Sequence, residues 1–281
     1  MDAARMHNQP APVDWDDTFV TDLQRGLVAC RIFAAYPILW LCHIQILNNL
    51  VSQAGQMETN GLPNDIFMNL NPLAVLALLP IIQKLLYPGL RKAGIKFPPI
   101  NRMAVGFIIE AAAIAYCAGV QQLIYAQGPC YDHPLECAAS DGGIVPNRLN
   151  VWVQAPVYII DGLGEIFFDL ASQEYAYNKA PDNMKSIIQA VLSASSGAGA
   201  ALGFALYPVA RNPYLVYMFS ALAATMFVTA IAFWLVFRKY NGMDAELNNR
   251  EAGSGTCVAR ATPQSEKGLE GGEKENSRSE I

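Results

Sequence analysis

The stretch IIDGLGEIFFDLASQEYAYNKAPDNMKS, residues 159–186, combines a run of apolar and aromatic residues with the carboxylates of Asp161, Glu165, Asp169 and Glu174. In water such a helix could simply turn its acids towards solvent. In a bilayer, an ionised side chain needs a polar partner or a water-filled cavity. The environment of this stretch therefore decides the fold.

The composition favours a membrane protein with polar ends. Hydrophobic residues make up 53% of the chain and charged residues 15%, and the charges are unevenly distributed. Residues 241–281 offer almost nothing to bury, which predicts a disordered cytoplasmic tail. Residues 1–24 are polar and lack the apolar core of a secretory signal, so we interpret them as a cytoplasmic N-terminal segment. The net charge of −5 shows no basic stripe, which argues against a nucleic-acid partner.

Between these ends, residues 25–240 are predicted to form a six-helix transmembrane bundle. A helical span needs about 20 largely apolar residues, because the hydrocarbon layer offers no water to the backbone. Six segments meet this requirement, with Gly, Pro and Asn clusters between them. They are residues 27–50, 70–90, 103–125, 151–175, 186–207 and 214–237. The predicted fold class is an all-α membrane protein.

The charges between the spans predict the orientation. Lys and Arg are concentrated after spans two, four and six, whereas the segment after span one has neither. Short cytoplasmic loops retain basic residues, so both termini are expected on the cytoplasmic side. Cys130 and Cys137 then share a non-cytoplasmic loop, where a disulfide could persist. The sequence leaves a bridge and two free thiols equally open.

The acidic stripe of span four is the main candidate for a functional site. Asp161, Glu165 and Asp169 are four residues apart, so a regular α-helix would place them on one face. Intramembrane carboxylates usually face a bundle interior or a cavity and often mark ion or substrate pathways. Glu165 lies nearest the middle and is the one we expect to face a cavity. Asp161 and Asp169 could instead lie near a helix end or bond to a neighbouring helix.

Three further polar residues inside predicted spans are candidates for proton binding or for lining a cavity. Glu110 lies in the middle of span three, and His43 and Gln45 lie in span one. Each could also be a hydrogen-bonded packing residue. For Glu110 we weigh a structural hydrogen bond above a transport role, and a single intramembrane histidine is more often a packing residue than a proton carrier.

Span five is rich in small residues, and its Gly199 and Gly203 form a GxxxG pair that permits close helix packing. These glycines are not a phosphate-binding loop, since no Lys-Ser/Thr follows them. No nucleophile elbow, zinc-binding helix or nucleotide fingerprint occurs in the sequence. We therefore expect neither an enzyme nor a bound cofactor or metal.

The segment GEIFFDLASQEYAYNKAPDNMKS, residues 164–186, resembles the signature around the tenth helix of proton-dependent oligopeptide transporters, the POT or PTR family. The segments LNNLVSQAGQM, GLPND, LNPLAV and FRKYN also resemble fungal members. The similarity runs from Asp14 to Asn241.

The resemblance implies a major facilitator fold, in which two six-helix bundles enclose a central site. This chain resembles only the second bundle, helices seven to twelve, so a missing N-terminal bundle is an expected partner. Glu165 matches the glutamate that engages the peptide α-amino group, and Asn71 matches an asparagine that contacts the peptide near its amino end. Many relatives have an acid in helix seven where this chain has His43, Ile44 and Gln45.

The function implied by the resemblance is symport of di- and tripeptides with H⁺ across the plasma membrane. The alternative is a non-transporting, truncated membrane protein, or a half-transporter that needs a partner bundle. We expect the 281-residue chain alone to insert into a membrane with little or no transport.

Overall fold

The computed structural model describes residues 16–180 and 184–239. The predicted tail at residues 241–281 and the first 15 residues of the predicted N-terminal segment lie outside the described part. The rest of that segment is described, and it belongs to the first helix from Asp17 onwards.

Nine α-helices make up most of the described chain, and several continue directly into turns of 3-10 or π-helix. They are α1 (Asp17–Cys30), α2 (Tyr36–Gly55), α3 (Leu70–Ile81), α4 (Tyr87–Lys92), α5 (Pro99–Ala126), α6 (Ala155–Glu165), α7 (Ala171–Lys179), α8 (Lys185–Ala205) and α9 (Leu215–Phe237). The 3-10 turns are Arg31–Ala35, Asn64–Asn69, Ala138–Ser140 and Val151–Gln154, and the π turns are Ile82–Leu86 and Ile166–Leu170.

Within the described residues, five helical segments are long and apolar enough to cross a membrane. They are Ile66–Lys92, Pro99–Ala126, Val151–Asn178, Lys185–Ala205 and Leu215–Phe237. These five correspond to predicted spans two to six. Predicted span one, residues 27–50, is helical through α1, a 3-10 turn and α2 but is not among the five. The middle of α2 carries His43, Gln45 and two asparagines, so its role as a sixth span stays a prediction.

Helix α5 lies at the centre of the bundle. It packs against α9, α6, α2 and the π turn Ile166–Leu170. Gly106 of α5 makes one of these contacts possible, because a Cβ atom there would lie 2.6 Å from the backbone nitrogen of Phe168. The buried side chains of α5 occur all around the helix, as expected for the central helix of a membrane bundle.

Helices α2 and α8 form the second close contact, and it confirms the predicted role of the GxxxG pair. A Cβ atom on Gly199 would lie 2.5 Å from the Cβ of Trp40, and one on Gly203 would lie 2.9 Å from Nε2 of Gln45. Both glycines of α8 therefore face α2, and larger side chains there would push the two helices apart.

The outer faces of α3, α8 and α9 are apolar and exposed. Leu76 on α3, Ile187 and Phe204 on α8, and Tyr217 and Val228 on α9 each expose more than half of their surface. Large contiguous apolar surfaces are rare on soluble monomers but are expected on helices that face lipid or a second bundle.

The loop after α5 contains the Cys130–Cys137 disulfide, with a Cα–Cα distance of 5.5 Å, so the bridge predicted as one of two alternatives is present. Two short strands, β1 (Met57–Glu58) and β2 (Asn147–Asn150), pair in parallel and attach this loop to the end of α2. The predicted all-α class did not include them, because strands this short carry no detectable alternation.

Candidate functional site

A buried polar cluster joins three helices in the interior of the bundle. Nδ1 of His43, on α2, lies 3.2 Å from Oε1 of Glu110, on α5, and 3.1 Å from Oδ1 of Asp161, on α6. His43 is 4% exposed, and both acids are fully buried. Buried ionisable groups are normally paired with a group of opposite charge, and here one imidazole contacts two carboxyl groups.

A fourth helix contributes Asn71, near the start of α3. Its amide nitrogen Nδ2 donates a hydrogen bond to Oδ2 of Asp161 at 2.5 Å. Its Oδ1 is buried and has no hydrogen-bond partner among the described residues. A Cβ atom on Gly162 would lie only 3.1 Å from this oxygen, so glycine at that position lets Asn71 approach α6.

Aromatic rings fix the position of the imidazole. The ring centroids of Trp40 and Phe168 each lie 5.6 Å from that of His43, and both pairs are edge-to-face. The two aromatic rings also pack edge-to-face on each other, 6.0 Å apart. The histidine side chain therefore has little freedom to leave the carboxyl groups.

The hydrogen-bonding groups of this cluster leave one negative charge unbalanced if both acids are ionised. Asp161 accepts a hydrogen bond from Asn71 on Oδ2 and faces His43 with Oδ1, so Asp161 is best satisfied as an ionised acceptor and Nδ1 as a donor. One imidazolium can balance only one of the two carboxylates, and Glu110 is left without a compensating charge. The ligand atoms of the three residues lie within 4.8 Å of one another, which a metal ion could also span. Hydrogen bonding accounts for the contacts without one, and the sequence carries no metal motif.

Glu165 and Asp169 lie beside this cluster and not within it. Glu165 is partly buried. Its carboxyl group is close enough to His43 and Asp161 for electrostatic interaction, and it also interacts with the side chain of Asn71. Oδ2 of Asp169 accepts a hydrogen bond from Gln173 at 2.8 Å. Asp169 lies within the π turn Ile166–Leu170 that follows Glu165, so the stretch joining the two acids is not the regular α-helix that the stripe prediction assumed.

Gln45, the other polar candidate in predicted span one, faces away from the cluster. Its Nε2 donates a hydrogen bond to the carbonyl oxygen of Gly203 on α8 at 3.4 Å, and its Oε1 accepts one from Asn49 at 2.8 Å. This arrangement matches the packing alternative considered for the polar residues of α2.

A second buried network, made of glutamines, was not predicted from the sequence. Gln53 donates to Oε1 of Gln121 at 2.9 Å, Gln121 donates to Oε1 of Gln56 at 2.8 Å, and Gln154 donates to Oε1 of Gln53 at 3.1 Å. The only signal for it was the presence of glutamines near the ends of predicted spans. It joins α2 and α5 to the 3-10 turn before α6 and stabilises that end of the bundle.

The sequence matches known transporters over most of its length. A profile described as the POT family matches residues 6–225. The chain is 47% identical over 234 residues to the peptide transporter imqD of Aspergillus flavus, covering 83% of this chain and 58% of that protein. It is 36% identical over 234 residues to the peptide transporter PTR2 of Saccharomyces cerevisiae, covering 83% of this chain and 38% of that protein. The chain thus spans about half the length of these relatives.

Solved structures agree on the fold. The chain superposes on the crystal structure of the POT family transporter PepTSo with a TM-score of 0.66 and 21% identity, covering 81% of this chain and 44% of that one. An auto-inhibited POT family peptide transporter gives a TM-score of 0.61 with 24% identity, covering 79% of this chain and 42% of that one. With its apolar helices, this protein is an integral membrane protein of the major facilitator type, and by its sequence the chain belongs to the POT family.

Proposed function

We propose that this chain forms the second six-helix bundle of a transporter that moves di- and tripeptides together with H⁺. The observation that carries the proposal is the position of Glu165, partly buried beside a buried polar cluster in a chain whose relatives are named peptide transporters. The missing N-terminal bundle would face Glu165 across the peptide site.

Glu165 and Asn71 are suited to bind the amino end of a peptide. A primary ammonium group carries three N–H donors and needs acceptor oxygens. The Glu165 carboxylate supplies a charged acceptor, and the unpartnered Oδ1 of Asn71 supplies a neutral one. The same Asn71 bonds to Asp161 through Nδ2, so peptide binding and the His43 cluster share a residue.

Protons are the coupling ion in this proposal. His43, Glu110 and Asp161 are ionisable and in mutual contact, and Asp169 lies close enough to interact with His43. A cluster of this kind can gain or lose a proton while the bundles rock about the site, which is how alternating access would link the two substrates.

We also propose a plasma-membrane location with both termini in the cytoplasm. Arg91, Lys92 and Lys96 are exposed before the start of α5, and the Cys130–Cys137 bridge follows its end. Helix α5 has 28 residues and is therefore about 42 Å long, enough to separate these features across a bilayer. Basic residues favour the cytoplasmic side, and disulfides persist on the outer side.

The test is uptake of a labelled dipeptide into liposomes with an imposed pH gradient. The 281-residue chain is reconstituted alone and as a fusion to the part of the Aspergillus flavus relative that it does not match, which we expect to be the N-terminal bundle. We expect uptake by the fusion that is abolished by a protonophore, and little or none by the chain alone. A fusion that inserts correctly yet shows no gradient-dependent uptake would favour the non-transporting alternative.

A further inference from the structure

The buried carboxyl group of Glu110 has no positive charge to balance it once His43 is paired with Asp161. Asp161 is held as an acceptor on both oxygens, by Asn71 and by His43. The other carboxyl group, Glu110, lies close enough to Asp161 for the two to interact directly. Two ionised carboxylates in contact at 0% exposure would repel each other with little screening, and one imidazolium cannot neutralise both.

The second oxygen of Glu110 is free to carry a proton. Oε1 faces His43, whereas Oε2 is buried and has no hydrogen-bond partner among the described residues. Gly164 of α6 lies opposite, and a Cβ atom there would be 3.2 Å from Oε2. The absence of a side chain at this position keeps the space beside the oxygen open.

Within the part of the chain that the structure describes, the other elements around Glu110 supply no second cation. Helix α2 brings His43 and the thiol of Cys42, α5 itself brings the thiol of Cys117, and α6 brings Asp161 with Glu165 further along. The sequence of α9, LVYMFSALAATMFVTAIAFWLVF, contains no Asp, Glu, Lys, Arg or His. Arg102, in the first turn of α5, is bonded to Glu174 at 2.8 Å.

We propose that Glu110 is the residue that carries the coupling proton, and that His43 is a positioning residue which holds Asp161 ionised beside it. The proton comes from water on the outer side and forms an O–H bond at the Glu110 carboxylate. That bond then breaks to return the proton to water on the inner side. This inference rests on the proposed peptide transport for its biological meaning, but the protonation of Glu110 can be tested without transport.

The first experiment measures protonation directly in the 281-residue chain, purified in lipid. The infrared spectrum of the wild-type chain at neutral pH should show the carbonyl stretch of a buried, protonated carboxylic acid. Glu110→Gln should remove this band, whereas the matched control Glu136→Gln should retain it, because that side chain is 63% exposed in a loop. A wild-type chain without the band, or a band that persists in Glu110→Gln, overturns the proposal.

A second variant covers the case in which Glu110→Gln does not fold, as judged by circular dichroism. Gly164→Ala places a methyl group against Oε2 and leaves the carboxyl group in place. We expect it to shift the frequency of the same band. An unchanged frequency in a folded Gly164→Ala chain would show that the band does not come from Glu110.

The second experiment separates this proposal from the proposed function. In the fusion protein, Glu110→Gln should lose gradient-driven accumulation of dipeptide but keep exchange of dipeptide for dipeptide, which moves no net proton. Wild-type accumulation in this variant would refute the role of Glu110 while leaving peptide transport intact. If the infrared result is positive but no variant moves peptide, the proposed function fails and the proton site stands.

Discussion

Replacement of His43 by leucine tests the buried cluster through its stability. The substitution removes the Nδ1 donor that lies 3.1 Å from Oδ1 of Asp161. At an effective dielectric constant of about 20, two unit charges at that distance attract by about 5 kcal/mol. Desolvation offsets much of this attraction in the intact pair, but removing one partner leaves a buried charge uncompensated. We therefore expect the free energy of unfolding to fall by about 3–5 kcal/mol.

The assay is equilibrium unfolding of the purified chain in detergent micelles, followed by circular dichroism. Adding Asp161→Asn to His43→Leu removes the uncompensated charge, so the double variant should regain at least about 1 kcal/mol relative to the sum of the single effects. The control is Gln45→Leu on the same helix, which loses neutral hydrogen bonds and should cost only about 1 kcal/mol. Equal small losses for His43→Leu and Gln45→Leu, together with strict additivity in the double variant, would refute the charge-pairing argument.

Two further predictions concern packing and the outer loop. Gly106→Ala should destabilise the chain by about 1–3 kcal/mol, because its Cβ would contact the backbone at Phe168. Gly119→Ala, on the same helix with nothing within 4 Å, should be neutral or stabilise it by up to about 1 kcal/mol. If Gly106→Ala and Gly119→Ala change the free energy of unfolding by the same amount, the close contact between Gly106 and Phe168 is contradicted. Mass spectrometry of a digest made without reductant should detect peptides linked through Cys130 and Cys137. Reduction of this disulfide should lower the free energy of unfolding by about 2–3 kcal/mol. Free thiols at both positions would contradict the bridge.

The helical spans were predictable from the sequence because lipid imposes a simple rule on length and polarity. Predicted spans two to six coincide with apolar helices of the structure. The local geometry of α3 and α6 was not predictable in detail. Pro80 removes one backbone donor and is followed by a π turn, and a second π turn follows Glu165. Such turns depend on packing against the neighbouring helices, and the hydrophobic periodicity of the sequence does not reveal that packing.

The members of the candidate site were predictable as intramembrane polar residues, but their partners were not. Glu110, His43 and Asp161 lie on three separate helices, and only the packing of α5 against α2 and α6 brings them together. The stripe prediction assumed a regular α-helix, whereas Asp169 lies in a π turn, where its Oδ2 accepts a hydrogen bond from Gln173. The roles of Glu165 and Asn71 in peptide binding remain predictions from the family resemblance and from their position beside the cluster.

The most direct test of the whole account compares two dipeptides that differ only in an N-acetyl group, using the fusion protein and its Glu165→Gln variant. If Glu165 binds the peptide α-amino group, the wild-type protein should accumulate the free dipeptide strongly and the acetylated one weakly. Glu165→Gln should then lose most uptake of the free dipeptide and most of this preference. Unchanged uptake and an unchanged preference in Glu165→Gln would contradict the central claim that this side chain faces the peptide site.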